Sequence, residues 1–463
     1  MKKYKIIIFS LLSLLLMGSG CDGGNGENEN KGSKNDSPKY KGLVINEVAG
    51  HSEDNGESWI EILNSTSSVL DLNGVSIKIV DSRFNDKVLY TAPSGKSLAA
   101  GERLVISTQS ANDQLIAGVF STYSFDLKLE SPKGFVIDEF KNEGTFSSDF
   151  ALTKVGSYQR IPDGSSTWRK LTYSSKGRIN EVFNVNNTLH NAAWLWSSYM
   201  PELMENDYAK LKELKQKGID HLLLNYSAFE TTVKIAQAHK FIEKADELGI
   251  AVHAWIQCFH TSEGWISPID DEKKQYKEEI YNDILSRAKM YIEDFGVKGL
   301  HLDYIRFGGR AYTHNHSDEV NAVGAVNRCC KEISDLAHSY DEGLVSSAAL
   351  MGENHASGIR YYGQDYDTMG QYLDILMPMI YKYSYGYTAN GCRELGNQVA
   401  SNKGGAECWA GTTTYQGDDS SVTPMDAEGI LSDCSAYKGS NVKGIVLFRY
   451  GLGTFPDLTD FWK

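Results

Sequence analysis

The sequence predicts a two-domain chain, an all-β sandwich followed by a (β/α)8 TIM barrel. Three observations carry this reading. The first is length: 463 residues exceed one ordinary small domain and suit two. The second is a change of rhythm near residue 180, from short β runs broken by Gly, Asn and Asp to strands that alternate with helical stretches. The third is a repeated stop signal, since Gly218, Gly249, Gly296 and Gly343 each close a helical stretch just before the next strand. A hydrophobic content of 41% with 23% charge fits a globular protein. The net charge of −14, with no basic cluster beyond the N-terminus, argues against a nucleic-acid partner.

Residues 1–21 read as an export signal. Lys2, Lys3 and Lys5 precede an apolar run, Ile6–Met17, that is short for a membrane span. The run ends in Gly18-Ser19-Gly20-Cys21, which resembles a bacterial lipoprotein cleavage site, although a leucine is usual where Gly18 stands. The resemblance implies a lipid anchor on Cys21. It also implies a bacterial cell-envelope location at the outer membrane, periplasmic or surface-exposed. Residues 22–40 are Gly, Asn, Lys and acid with almost nothing apolar, the composition of a disordered tether. The six later cysteines show no zinc-ligand spacing, and no Gly-rich phosphate loop follows the first barrel strand. Neither a metal nor a cofactor is expected.

Residues 41–180 carry the runs LVINEV, SWIEILN, VSIKIV, RLVIST and GFVIDEF at regular spacing, which predicts a β-sandwich. Val44–Val48, Trp59–Asn64, Leu70–Ile79, Leu98–Ile106 and Ser157–Thr172 together resemble a lamin tail domain. The resemblance implies an immunoglobulin-like fold and an accessory or attachment role. No acid/base or nucleophile cluster is evident in this half.

Residues 181–463 carry eight candidate strands: 192–197, 221–227, 251–259, 297–307, 344–351, 374–381, 407–415 and 442–450. Helical stretches at 207–217, 231–248, 276–295 and 318–339 lie between them. Eight such units in about 280 residues fit a TIM barrel.

Barrel enzymes work at the C-terminal ends of their strands, and this sorts the acids. Asp220, Asp374 and Glu407 precede or begin strands and belong at the bottom. Asp303, Glu353, Asp418 and Asp419 stand at or beyond strand tops. Asp303 closes VKGLHLDYIRF, where alternation sets His301 and Asp303 on one side and Leu300 and Leu302 on the other. Asp303 and Glu353 follow neighbouring strands, and two adjacent carboxyl groups are what glycosidic cleavage requires. In this reading Asp303 works ionised, aided by His301 or Arg306, and Glu353 supplies the proton. On strand three His253, Trp255 and Gln257 share a face. With Trp196, Tyr226, Tyr304, Tyr381 and Arg449 they form the expected saccharide-binding rim.

Gly299–Phe307 and Met377–Tyr381 (MPMIY) resemble bacterial glycoside hydrolase barrels, whose fourth strand ends in Asp-Tyr-x-Arg-Phe. The resemblance implies a catalytic acid at Asp303, with Tyr304 and Arg306 in matching places, and a carbohydrate substrate. The arrangement of Asp303 and Glu353 loosely resembles α-amylase-type barrels. It departs from chitinase-type barrels, whose catalytic Glu would fall at Ile305. Two other readings stay open: a non-catalytic cell-surface glycan-binding lipoprotein, and a metal-dependent hydrolase using His253, His260, His301 and His355.

The leader reading makes one checkable statement. Replacing Cys21 with Ala is expected to move the protein from the membrane pellet to the soluble fraction after signal removal, with its circular dichroism unchanged. Retention in the pellet would contradict the lipid anchor.

Overall fold

A computed structural model describes residues 34–49, 57–80, 86–116, 125–141, 155–182, 189–418 and 421–463. The leader with Cys21, most of the tether, residues 183–188 at the domain join, and Asp419 lie outside these. Among the described residues no helix is long and apolar enough to cross a membrane.

The N-terminal half is two antiparallel sheets face to face. One carries Trp168–Leu171, Ser157–Arg160, Leu43–Ala49, Trp59–Asn64 and Arg103–Ser107 in that spatial order; the other carries Lys87–Thr91, Ser76–Val80, Asp126–Glu130 and Val136–Lys141. Ile45, Ile60, Ile62, Ile77, Ile79, Ile106, Leu127 and Leu129 fill the space between them. The sandwich starts before residue 41. Ser37–Tyr40 is a 3-10 turn, and Tyr40 is buried in the core. One aromatic side chain is therefore enough to draw the end of the polar tether into the domain.

The C-terminal half is a closed barrel of eight parallel strands: His190–Leu195, His221–Asn225, Ala251–Gln257, Gly299–Asp303, Val345–Met351, Ile375–Met379, Glu407–Thr413 and Gly444–Phe448. Each falls within, or within two residues of, a run read from the sequence. Alternation divides every strand between two cores. Ala254, Ile256, Leu300 and Leu302 face the surrounding helices, whereas Trp194, Trp255, Met377 and Trp409 point into the barrel. The helices bury one stripe each. Glu278–Phe295 presents Tyr281, Ile284, Ala288, Tyr291, Ile292 and Phe295, a spacing of three and four.

Helix ends follow the glycine pattern with one exception. Gly218, Gly249 and Gly296 are left-handed, but Gly343 is not. The helix before it, Ala322–Tyr340, stops at extended Asp341, whose Oδ1 accepts the Gly343 N–H at 2.6 Å. A carboxylate makes that turn in place of a left-handed glycine. The helix read as beginning at Asp207 starts at Met200 and breaks at Glu205–Tyr208 before resuming.

The domains meet at the floor of the barrel. Lys298, just below strand four, is buried with its ammonium 3.0 Å from the centre of the Tyr173 ring and 3.2 Å from Asp246. Burial lowers its pKa to about 8 against the pull of Asp246. Arg178 also pairs with Asp246. On the sandwich side the connecting segment is held by buried acids: Glu47 accepts from the Ser157 hydroxyl (2.6 Å), the Ser175 N–H (2.9 Å) and the Ser175 hydroxyl (2.8 Å), and Glu61 accepts the Gly177 N–H (2.7 Å).

Gly299 opens strand four directly against the His253 imidazole inside the barrel, where an added Cβ would overlap the ring. Gly299→Ala is expected to cost about 1–3 kcal/mol by overpacking, read as a lower midpoint in denaturant. An unchanged midpoint would show that the His253 ring can move aside freely.

Candidate active site

Strand four ends at Asp303, and the next residue sets the site. Tyr304 adopts a left-handed backbone conformation (φ 52°), which costs a non-glycine residue about 1–2 kcal/mol. In this conformation the Tyr304 N–H donates to Asp303 Oδ1 at 2.7 Å. Two further rungs tie the loop to strand three, Cys258 N–H to the Asp303 carbonyl (2.9 Å) and Phe259 N–H to the Tyr304 carbonyl (3.1 Å). Ile305 and Phe307 are buried beneath, so apolar packing pins both ends of the turn.

From the adjacent strand, Trp255 Nε1 donates to Asp303 Oδ2 at 2.9 Å. Each carboxylate oxygen therefore accepts one N–H. Burial is the largest influence and raises the Asp303 pKa; the two hydrogen bonds, Arg306 and His260 oppose it. A hydrogen bond to a charged acceptor contributes about 1.5–3 kcal/mol, less than the cost of desolvating a carboxylate, so the net shift stays upward. Arg306 is not salt-bridged to Asp303. Its guanidinium lies 4.3 Å from the Trp265 ring and 5.4 Å from the Tyr362 ring. Tyr304 stacks on His260 at 4.7 Å, and His260 meets Trp265 edge-on. Gly308 runs directly under Trp265, with room for no side chain.

Above Asp303 opens a cleft of about 490 Å³. It brings together Trp196, Tyr226, Trp255, Gln257, Asp303, Tyr304, Arg306 and Tyr381 of the residues singled out in the sequence. Four others lie elsewhere. His253 and His301 are fully buried below the floor. His301 accepts from Trp194 Nε1 (3.2 Å) and meets the Ser347 hydroxyl (3.0 Å), and His253 joins His221 and His190 in a chain of imidazoles. Burial lowers the pKa of His253 and of His301 to about 3, so both are neutral. Arg449 backs the cleft rather than lining it, with its guanidinium 3.6 Å from the Trp196 ring. Glu353 is absent from the lining and accepts the Tyr362 hydroxyl at 2.7 Å.

The second carboxyl group in the lining is Asp418, on a hairpin, Tyr415–Asp418 with Ser421–Pro424, that follows strand seven. The sequence marks it as a strand-top acid without preferring it. Trp194, Asn225, Met351, Met379, Ser384, Tyr385 and Phe448 also line the cleft and were not singled out. Tyr385 had a signal in the tyrosine-rich run after strand six, where Lys382–Tyr385 forms a single helical turn ending at left-handed Gly386. The histidines of the metal reading do not converge. Among the described residues the one group able to offer a metal three ligand atoms is His355, Asp365 and Asp367, outside the cleft lining.

Residues 36–146 match the family model for the lamin tail domain. No curated protein matches the chain. Among solved structures, the chain is similar to the spore cortex-lytic enzyme SleL of Bacillus megaterium QM B1551, at 14% identity and TM-score 0.41, over 60% of this chain and 75% of that one. It is similar to the glycoside hydrolase domain of PgaB (BpsB) from Bordetella bronchiseptica, at 12% identity and TM-score 0.41, over 56% and 94%. It is also similar to a class V chitinase from Pseudomonas fluorescens Pf-5, at 12% identity and TM-score 0.43, over 57% and 96%.

The Asp303 environment can be tested without a substrate. Carbon-13 NMR of aspartate-labelled protein is expected to show carboxyls titrating above the ordinary aspartate range, buried Asp138 among them, and one of these is lost in Asp303→Asn. In Trp255→Phe that pKa is expected to rise further, because a donor to the charged form is gone. A pKa that stays put or falls would remove the indole from the account.

Proposed function

We propose that the barrel is a glycoside hydrolase that cleaves an oligo- or polysaccharide in the cleft above Asp303, on a lipoprotein of the bacterial envelope held through Cys21. One observation carries the reading. A half-buried carboxylate, each oxygen met by one N–H, forms the floor of a cleft walled by indole and phenol rings. Rings present flat apolar faces to sugars, while Gln257 and Asn225 offer amides to hydroxyls.

In this mechanism Asp303 acts ionised, offsetting positive charge at the anomeric carbon or attacking it. Its two donors hold the carboxylate in place before reaction, so little reorganisation remains for the transition state. Asp418 faces the same cleft and is the proton donor. It is exposed in the free protein, and a bound sugar would cover it. Glu353, preferred by strand-top position, accepts the Tyr362 hydroxyl and has a supporting role in this mechanism. Its absence from the cleft lining also favours a second reading, in which the cleft binds glycans without cutting them.

Product release from a glycan panel separates the two readings. Asp303→Asn is expected to lower kcat by about 10²–10³-fold or more while leaving substrate affinity nearly intact. Asp418→Asn should lose about 10²-fold on natural linkages and far less on aryl glycosides with good leaving groups. Glu353→Gln should stay within a few-fold of the native rate. Binding without products from the native protein would establish the second reading, and equal losses at Glu353 and Asp418 would return the acid to Glu353.

A further inference from the structure

Of the eleven arginines among the described residues, six are paired. Arg103, Arg160, Arg178, Arg287 and Arg328 each meet a carboxylate, and Arg393 binds the Ala436 and Lys438 carbonyls. Among the described residues Arg169 on the sandwich lacks a carboxylate within 4.0 Å, and so do four arginines above the barrel: Arg306 and Arg310 after strand four, Arg360 after strand five and Arg449 after strand eight. In a protein of net charge −14, partners for these cations were available in composition. Four of them gather at one end of the barrel without a carboxylate in salt-bridge contact.

Two of these cations belong to a strip of rings that leaves the cleft. Arg306, in the lining, is held between Trp265 and Tyr362. Tyr362 lies 6.4 Å from Tyr361, and Tyr361 lies 6.3 Å from Tyr312. Arg360 packs 4.9 Å from the Tyr312 ring and 5.7 Å from Tyr361. Tyr312 and Tyr361 are 45% and 39% exposed and continue outward from the cleft. A guanidinium packed on rings keeps its N–H edge for a planar anion. Asp303 and Asp418 disfavour an anion at the centre of the cleft, and Glu353, which accepts the Tyr362 hydroxyl, disfavours one on the inner part of the strip, so its place is the outer part beside Arg360.

We infer that the strip from Arg306 to Tyr312 is a subsite for an anionic sugar, one bearing a carboxylate or a sulfate ester, with Arg360 as its cation. The inference rests on the hydrolase reading for the bond that is cut, and specifies the chemistry of a neighbouring residue of the same glycan. A neutral sugar occupies the centre above Asp303, and the charged residue lies toward the loops after strands four and five.

Calorimetry on the full-length Asp303→Asn protein tests this without turnover. The probes are a hyaluronan oligosaccharide, whose uronates alternate with neutral sugars, against its methyl ester, and a keratan sulfate oligosaccharide against its desulfated form. One charged member is expected to bind about tenfold tighter than its neutral counterpart, and the pair in which this happens identifies carboxylate or sulfate. The advantage should shrink as salt rises from about 0.05 to 0.5 M, and Arg360→Gln should remove most of it. Equal binding within both pairs, no binding by either charged probe, or a preference that survives Arg360→Gln would each overturn the subsite. The hydrolase reading fails separately: a charge preference without product from the native protein keeps the subsite and sinks the cleavage, and products without a charge preference do the reverse.

Discussion

The hydrogen bond from the Trp255 indole to Asp303 Oδ2 joins two neighbouring strands at the top of the barrel, and much of the site depends on it. It requires that strands three and four pair in one register, Gln257 beside Asp303, so that Trp255 stands one inward step below the acid. It requires also that Asp303 be the last strand residue, because the left-handed Tyr304 then returns its own N–H to the other oxygen. A slip of one residue would turn Asp303 toward the helices, where nothing could solvate it. The closed sheet fixes that register from both sides. A loop acid would lack this precision.

The parts legible in the sequence are those with a period. Buried parallel strands read as short apolar runs and survive within two residues, whereas amphipathic helices repeat every three or four residues and survive with starts displaced by up to seven, as at Met200. Facing is legible too: His253, Trp255 and His301 do point inward. Height is not. Two residues along a strand amount to about 6.6 Å, so His253 and Trp255 share a face while one is part of the base and the other part of the cleft floor. Glu353 illustrates a different limit. Once a strand ends, alternation stops constraining direction, and the Tyr362 hydroxyl on the following loop decides where that carboxyl points. Asp418 owes its place to a hairpin whose four paired residues per arm carry no strong pattern.

The join between the halves is polar where a sequence reading expects little structure. Glu47 is wholly buried, and burial pushes its pKa to about 7 even against three donors. Its ordinary value of 4.5 is the reference for the unfolded chain. The raised folded value means that stability from this group is greatest below about pH 4.5 and declines as pH rises through 7. The acid nevertheless fits, because Ser157 and Ser175 give it hydrogen bonds that water would otherwise supply. Such an arrangement trades some stability near neutrality for a fixed exit of the chain from the sandwich.

Tyr173 and Lys298 place the sandwich beneath the start of strand four, while the cleft opens beyond its end. The strand between spans only about 13 Å, yet it puts the sandwich and the cleft at opposite poles of the barrel. Among the described residues the sandwich contributes no wall to the cleft. The cleft thus faces away from the sandwich, much as a tool is presented handle inward and blade outward. Any influence of the sandwich on the cleft then has to pass along the short strand that runs from beside Lys298 to Asp303.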